Sequence, residues 1–398
     1  MTERFSLEHR LWRAIPAAPR RAGLRAIATA LAPRADAIPP PASHGVAIGG
    51  EMRLISGLGE AARLLHGGIK RCGADRGAVD LGVLRRPAPR VLPDGAALIL
   101  HVNAPSIPLM LARAGAHFLR DRRVVGFWNW ELDTLPPSWR GGTRYVHEIW
   151  VPSAFTKAAI ETIYPGMVRL VPYPLAAIGL PQAFPRRGLF DLPADAVITT
   201  VIANLGASFA RKHPLAAVAA HRAAFSNRPD RILVVKLSGG VAFPADMARL
   251  RGAIGTANNI RLIDAIWPAE TLRSLLASTD ILLSLHRAEG FGLVPAEAML
   301  RGVAVVATGW SGNLQFMDDS SAALISHRLT PVTDVRGAYG AASAFWAEPD
   351  IDHAAAWLRR LADNPVERKA LAARGQAFAR AALGLEPLAA ALASNGIS

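Results

Sequence analysis

The sequence predicts an α/β fold built on parallel sheets, and three observations carry that expectation. First, Ile281-Leu282-Leu283 reads as a buried strand opening into a loop with one acid and two glycines, Glu289-Gly290-Phe291-Gly292. A short helix then starts at Pro295, where proline suits a first turn, and stops at Gly302. Second, the next strand, Val303–Thr308, ends in another small-residue turn, Gly309-Trp310-Ser311-Gly312-Asn313. Strand–loop–helix units in series make parallel sheets with a ligand crevice at the strands' C-terminal ends. Third, 398 residues are too many for one ordinary core and fit two α/β domains of similar size.

The totals exclude several classes. No run of roughly 18 uninterrupted apolar residues appears, so no membrane span is expected. The first residues, Met1-Thr2-Glu3-Arg4-Phe5, lack the basic-then-apolar order of a secretory signal. The single cysteine, Cys72, excludes an intrachain disulfide and a cysteine zinc cage, and points to a cytoplasmic protein. A net charge of +14 has two readings. One is a genome that writes arginine for lysine, since the only lysines are Lys70, Lys157, Lys212, Lys236 and Lys369. The other is attraction to an anion: a nucleotide diphosphate, an acidic lipid or a nucleic acid. Nucleic acid is the weakest, because no zinc finger or recognition motif accompanies the charge.

Taken in order, residues 1–44 alternate basic and apolar positions, with Arg10-Leu11-Trp12-Arg13 and Arg20-Arg21, and close with Pro39-Pro40-Pro41. They read as a helical arm and a stiff connector. With Trp12, Leu24 and Ile27, the arm fits an anionic bilayer surface, or a helix packed on the protein's own body, the commoner case. Residues 45–180 form the first domain. Val46-Ala47-Ile48 is its first strand, and Ser56-Gly57-Leu58-Gly59 is a turn feeding a helix to about Arg71. Gly57-x-Gly59-x-x-Ala62 matches a dinucleotide fingerprint, with Asp75 and Asp80 as ribose acids downstream; a lone match is weak. What it does supply is backbone N–H groups at a helix start, which can meet an anion. Leu98–Asn103 is a strand ending in polar groups, and His101 at its C-terminal end is as much a catalytic as a structural candidate. Val124–Leu132 is a strand running into an aromatic-acidic turn. Trp128 and Trp130 fit a core, or, beside Asn129 and Glu131, a sugar. Glu148–Ser153 is a strand ending on an N-cap serine before the helix Ala154–Ile163. Val168–Val171 is a further strand, and proline-rich 172–187 is the interdomain linker.

Residues 181–370 form the second domain, which restarts the rhythm. Val197–Ala203 is a strand, followed by a loop through Arg211-Lys212-His213-Pro214 and a helix to about Phe225. Arg211 and Lys212 just before a helix start work against its dipole, and that placement calls for a compensating anion. Ile232–Lys236, Ile260–Ile263 and Asp280–Ser284 are strands, and Glu270–Ser278 is a helix. Asp350-Ile351-Asp352 matches a metal-binding pattern, but its place before the helix Ala354–Leu361 makes helix capping the better account. Glu367–Leu383 is a helix, and residues 371–398 are expected to cross back to the first domain.

The set Glu289-Gly290-Phe291-Gly292-Leu293-x-x-x-Glu297, Ser311-Gly312-Asn313 and Arg211-Lys212 resembles family 4 retaining glycosyltransferases (glycosyl transferases group 1). The likeness covers roughly 45–380 and is strongest to a bacterial subgroup, with Ser56–Arg63, His101–Asn103, Phe127–Leu132, Glu148–Phe155 and Arg211–Pro214 in the same order. It implies the GT-B fold, two Rossmann-like domains with parallel sheets facing a central cleft. The activity implied is transfer of a hexose from a GDP- or UDP-sugar to a hydroxyl of a glycan or lipid-linked acceptor, with anomeric retention, in cell-surface polysaccharide synthesis. No metal and no cofactor is required, since the nucleotide sugar is a substrate. By the resemblance, Arg211, Lys212, Glu289 and His101 are the catalytic group. Gly57, Gly59, Lys236, Gly290, Phe291, Gly292, Leu293, Glu297, Ser311, Gly312 and Asn313 bind the donor, Glu297 through its ribose. Asn103, Trp130 and Glu131 are acceptor or sugar contacts. The implied setting is the cytoplasm, with peripheral contact to an anionic inner membrane face.

Two rivals stand beside this reading. A non-catalytic nucleotide-sugar binder of the same fold would keep the same charged set. An NAD-dependent oxidoreductase built on Gly57-x-Gly59 would leave Glu289, Glu297, Arg211 and Lys212 without a task.

Overall fold

The computed structural model describes residues 17–42, 44–82, 92, 94–112, 114–334, 336, 339 and 343–397, with side chains from Ala22 onward. The arm residues Arg10, Trp12 and Arg13, and the side chains of Arg20 and Arg21, lie outside the described residues. The chain divides into two compact units. One takes its described residues from 1–128, 137–150 and 391–398; the other is formed by 129–136 and 151–390.

The chain opens with helix α1 (Ala17–Leu31), strand β1 (Val46–Gly50), helix α2 (Gly57–Arg71) and strand β2 (Asp75–Asp80). β3 (Ala97–His101), α3 (Ile107–Leu111), β4 (Val124–Phe127), β5 (Glu148–Val151), α4 (Ala154–Glu161), β6 (Val168–Leu170) and the one-turn α5 (Leu175–Ile178) follow. The first sheet has the order β2-β1-β3-β4-β5-β6, with β1 pairing in parallel to both β2 and β3. β1, β3 and β4 are buried along their whole length, as strands covered on both faces require. Strand β2 was not expected: its exposed alternate positions give it no apolar run to read. α2 starts where Ser56 accepts the Gly59 N–H, carries Glu60 in its first turn and ends on Lys70 and Arg71, all matched to the helix dipole. Gly59 is required there, because a Cβ would stand 2.2 Å from the Leu54 carbonyl oxygen.

The second sheet begins with β7 (Val197–Asn204), the one-turn α6 (Phe209–Lys212), α7 (Pro214–Phe225) and β8 (Arg231–Ser238). It continues through α8 (Pro244–Ile254), β9 (Ile260–Asp264), α9 (Ala269–Ala277), β10 (Ile281–Ser284), α10 (Leu293–Leu300), β11 (Ala304–Thr308) and β12 (Ala323–Ile325). Its order is β12-β11-β10-β7-β8-β9, and every listed neighbour pair runs parallel. The chain builds outward from β7 to β9, then returns to place β10 on the other side of β7. The strand order therefore reverses between β7 and β10, the position where such sheets hold ligands. An antiparallel pair, β13 (His327–Pro331) with β14 (Phe345–Pro349), precedes α11 (Ile351–Asp363), α12 (Pro365–Ala382) and α13 (Glu386–Ser394).

Several expectations are corrected in detail. α10 begins at Leu293, two residues before Pro295, because Gly292 at φ +98° makes the turn that proline was expected to mark. Arg211 and Lys212 do not sit in a loop before a helix: they close α6, and His213 at φ +48° separates them from α7. Asp350 caps α11 by accepting the His353 N–H at 3.0 Å. The segment Pro365–Ser394 is long and apolar enough, by length and composition, to cross a bilayer, although no uninterrupted apolar run marks it. It is two helices that break at 383–385, and Leu371, Ala379, Leu383, Leu388 and Leu392 are buried against the protein, as in a core helix.

Candidate active site

The loops after β7, β10 and β11 leave the same edge of three adjacent parallel strands, so their residues converge by topology alone. Each loop contributes a distinct chemical part. The first supplies Arg211 and Lys212, the second Glu289 and its glycines, and the third Ser311, Gly312 and Asn313.

Arg211 is almost wholly buried. Its Nη1 donates to the Ala288 carbonyl at 2.8 Å and to Glu289 Oε2 at 3.1 Å. Its Nη2 donates to the Ala207 carbonyl at 3.0 Å and lies 3.8 Å from Glu131 Oε1. Its Nε–H is buried with no hydrogen-bond partner among the described residues. Lys212 Nζ donates to the other Glu289 oxygen, Oε1. The compensating anion that two adjacent cations call for is thus a carboxylate of the chain itself. Burial pushes the Glu289 carboxyl up, but Lys212, Arg211 and His286 outweigh it and hold it at about 2. Burial opposes the charge on Arg211 as well, and Tyr339, Glu289 and Glu131 more than offset it, so the guanidinium stays charged.

The backbone around this trio is tightly specified. The Glu289 N–H donates to Ser311 Oγ at 2.8 Å, and the Gly312 N–H to the Glu289 carbonyl at 2.8 Å. Ser311 takes φ +81°, a region L-residues rarely adopt. A Cβ on Gly312 would stand 2.2 Å from the Gly290 carbonyl oxygen, and one on Gly290 would stand 2.8 Å from the Trp130 carbonyl oxygen. Both glycines are therefore consumed by loop-on-loop packing. The Gly290 carbonyl in turn accepts from Ser153 Oγ at 2.6 Å. Phe291 is buried, edge-on to Tyr173 and tilted against Phe316. Leu293 opens α10 half-buried.

Beneath the loops, Asn313 is fully buried and donates its amide to the Thr308 carbonyl at 3.0 Å. That assignment leaves its Oδ1 to accept from His286 Nε2 at 3.0 Å, and Ser284 Oγ then donates to His286 Nδ1 at 3.0 Å. Burial lowers the His286 pKa, so a neutral ring braces the Glu289 loop. On the outer side, Arg287 donates to Glu348 Oε2 at 2.7 Å, and His213 Nε2 pairs with Glu348 Oε1 at 3.1 Å. The His213 hydrogen bond and the Arg287 charge, against the opposing effect of burial, hold Glu348 at about 2.

The remaining expected residues divide. Glu131 joins the cluster: its carboxyl hydrogen-bonds Tyr339 and faces Arg211, and burial raises its pKa. Trp130 is buried against the Tyr339 ring, centroids 5.7 Å apart, with its indole N–H on the Thr134 carbonyl. Glu297 pairs with Arg301 at 2.8 Å along one face of α10. Lys236 donates its Nζ to the Leu237 and Ala265 carbonyls and lies over the Trp267 ring, none of which belongs to the Arg211 cluster. His101, Asn103, Gly57 and Gly59 belong to the other unit, around its own order reversal between β1 and β3. There burial depresses the His101 pKa to about 4 and Phe127 stacks on the neutral ring at 5.2 Å. Asn103 stands half-buried at the start of a single 3-10 turn, and Gly57 opens α2. Asp75 is taken by His66 and the Gly77 N–H, which withdraws one of the two ribose acids the dinucleotide reading needs. A cavity of about 780 Å³ opens beside the 175–185 segment, Arg301 and Arg380, and is lined by none of the expected site residues.

Tyr339, His286 and Glu348 were not singled out by sequence. Tyr339 lies 50 positions beyond Glu289 with no motif around it. His286 was legible, since it falls between a strand end and Glu289.

Comparison with known proteins agrees with this arrangement. Residues 204–343, which include Arg211, Lys212, Glu289 and Tyr339, match the family model for glycosyl transferases group 1. No curated protein matches the sequence. Among solved structures, Anabaena HepE in complex with UDP and glucose aligns with a TM-score of 0.62 at 15% identity, over 88% of this chain and 99% of that one. Sucrose-phosphate synthase from Thermosynechococcus elongatus gives 0.62 at 15% identity, over 88% and 98%. A TarM mutant from S. aureus, in complex with Fondaparinux, alpha-GlcNAc-glycerol and UDP, gives 0.50 at 12% identity over 76% of this chain; the chain spans about half of TarM's length, 54%. Residues 204–343 thus carry a glycosyl transferases group 1 domain, and the two parallel six-stranded sheets of the chain are those of the GT-B glycosyltransferase fold.

Proposed function

We propose that this protein is a retaining glycosyltransferase that moves a hexose from a UDP- or GDP-sugar to a hydroxyl of a glycan or lipid-linked acceptor in cell-surface polysaccharide synthesis. The observation that carries the reading is the meeting of Arg211, Lys212 and Glu289 at the order reversal of the second sheet. The bond from the anomeric carbon to the diphosphate oxygen breaks, and negative charge accumulates on the leaving nucleoside diphosphate. Two fixed cations, with the unpartnered Arg211 Nε–H, are suited to receive that charge without reorganising. The acceptor oxygen bonds to the same face of the sugar, and its proton passes to the departing phosphate oxygen, so no separate base is needed. Glu289, ionised throughout the neutral range, orients sugar hydroxyls and keeps both cations aimed. These roles need no metal and no cofactor. The complexes of HepE with UDP and glucose favour uracil among the bases.

A panel of UDP- and GDP-sugars tests the reading by thermal stabilisation, followed by nucleotide release with candidate acceptors. The correct donor at 100 times its dissociation constant stabilises the protein by about 2.7 kcal/mol. Glu289→Ala is expected to keep the fold and lose transfer. Absence of any nucleotide-dependent shift overturns the assignment. Stabilisation by the donor with neither hydrolysis nor transfer leaves a sugar-nucleotide binder instead.

The charge and the arm fit work at an anionic membrane face in the cytoplasm. Leu24, Ile27 and Leu31 stand exposed on one side of α1, next to Arg25.

A further inference from the structure

Arg211 and Lys212 do not stand as free cations. Two carboxylates, Glu289 and Glu131, face them, so the cluster is close to neutral when both acids are ionised. The two acids are held differently. Glu289 makes direct contacts to both cations and is braced through its backbone by Ser311 and Gly312. Glu131 reaches Arg211 only at 3.8 Å, from the 129–136 turn, and its firm contact is with Tyr339. The Tyr339 ring in turn packs on Trp130 and lies 5.7 Å from the guanidinium carbon. An anion arriving at Arg211 meets repulsion from the weaker of these two counter-ions.

We propose that Glu131 is a displaceable counter-ion of the diphosphate-binding arginine: it occupies Arg211 in the empty site and takes up a proton when a nucleoside diphosphate binds, with Tyr339 holding it in position. The proposal rests on the reading of Arg211 and Lys212 as diphosphate ligands. The groups facing Glu131 are Arg211 and Lys212 from α6, Glu289 from the loop after β10, and Tyr339. Its own turn adds Asp133, which is engaged with the Phe345 N–H. Only Glu131 combines a raised pKa with a place beside the arriving charge: Glu289 is held at about 2, and neutral His286 is saturated by Ser284 and Asn313. Binding an anion beside a carboxyl raises its pKa further, so binding is coupled to proton uptake and weakens as pH rises. The Tyr339 hydrogen bond favours the ionised form. Tyr339 therefore sets the pH at which the acid yields.

The test is calorimetric titration of the full chain with UDP and with GDP, between pH 6 and 8.5, in pairs of buffers of different ionisation heat. The nucleotide's terminal phosphate itself titrates near about pH 6, so the difference between wild type and variant is what is read. The wild type is expected to take up a fraction of a proton that Glu131→Gln does not. Glu131→Gln is also expected to bind more tightly at the alkaline end, by about tenfold for each unit separating the free and bound pKa values. Tyr339→Phe is expected to keep proton uptake and move its window to higher pH, a shift that a merely structural role would not produce. Equal proton uptake by wild type and Glu131→Gln, or weaker binding by that variant at every pH, overturns the proposal and leaves the transferase reading intact. If Glu131→Gln fails to fold, Tyr339→Phe decides alone, and an unmoved window overturns the proposal. Binding of neither nucleotide by the wild type removes both.

Discussion

Glu289 contributes more to stability at neutral pH than its buried position alone would allow. Its carboxyl falls from an ordinary 4.5 to about 2, so the contribution is fully present above pH 4.5 and is lost as pH falls toward 2. Glu289→Gln removes it at all pH values. The melting temperatures of variant and wild type should therefore be farthest apart above pH 4.5 and converge toward pH 2. Glu348, at about 2 for its own reasons, titrates in both proteins and cancels from the comparison. Arg211→Lys separates charge from shape. Lysine cannot serve the Ala288 and Ala207 carbonyls and Glu289 together, so the variant should lose about 1–3 kcal/mol of stability in denaturant titrations. Its nucleotide release should fall much further than its stability explains, because the leaving group then lacks the guanidinium fork. At this scale sequence reading named Arg211, Lys212 and Glu289, but as groups waiting for a ligand. That they bind one another was not legible, because no spacing connects positions 211 and 289.

The elements show the same division. Glycine in the β10 and β11 loops was expected where a ligand approaches the backbone. Gly290 and Gly312 instead make room for the neighbouring loops, Trp130 against Gly290 and Gly290 against Gly312. Gly312→Ala should therefore cost about 1–3 kcal/mol through overpacking and abolish transfer, since the displaced backbone carries Glu289. Gly252 is the contrast: it lies inside α8, with nothing within 4 Å of an added Cβ. Gly252→Ala should stabilise the protein by about 0.5–1 kcal/mol and leave activity unchanged. Chemical denaturation and a transfer assay on the pair would separate packing glycines from incidental ones. Helix starts at Ser153 and Asp350 could be read directly, because an N-cap is a local contact. β2, β13 and α8 were missed, since their half-exposed sequences carry no periodic apolar signal.

Over the whole molecule, charge and one exposed helix face carry the remaining prediction. A chain with net charge +14 that exposes Leu24, Ile27 and Leu31 on α1 should sediment with vesicles rich in anionic lipid and not with neutral ones. Raising the salt should weaken the association, and serine at the three apolar positions should weaken it at every salt concentration. Sedimentation with neutral vesicles to the same extent would remove the electrostatic account.

The sequence by itself determined the fold class, because repeated apolar runs ending in glycine-rich turns leave parallel sheets as the economical solution. It also determined which loops matter, since loops at strand C-terminal ends collect on one edge of such sheets. Only the tertiary structure decided how the residues are used. It closed Arg211 and Lys212 onto Glu289, brought Glu131 and Tyr339 to the same cation, and placed Lys236 among backbone carbonyls. These pairings depend on strand order, which reverses between β7 and β10, and the order in which strands assemble leaves no mark in the spacing of residues along the chain.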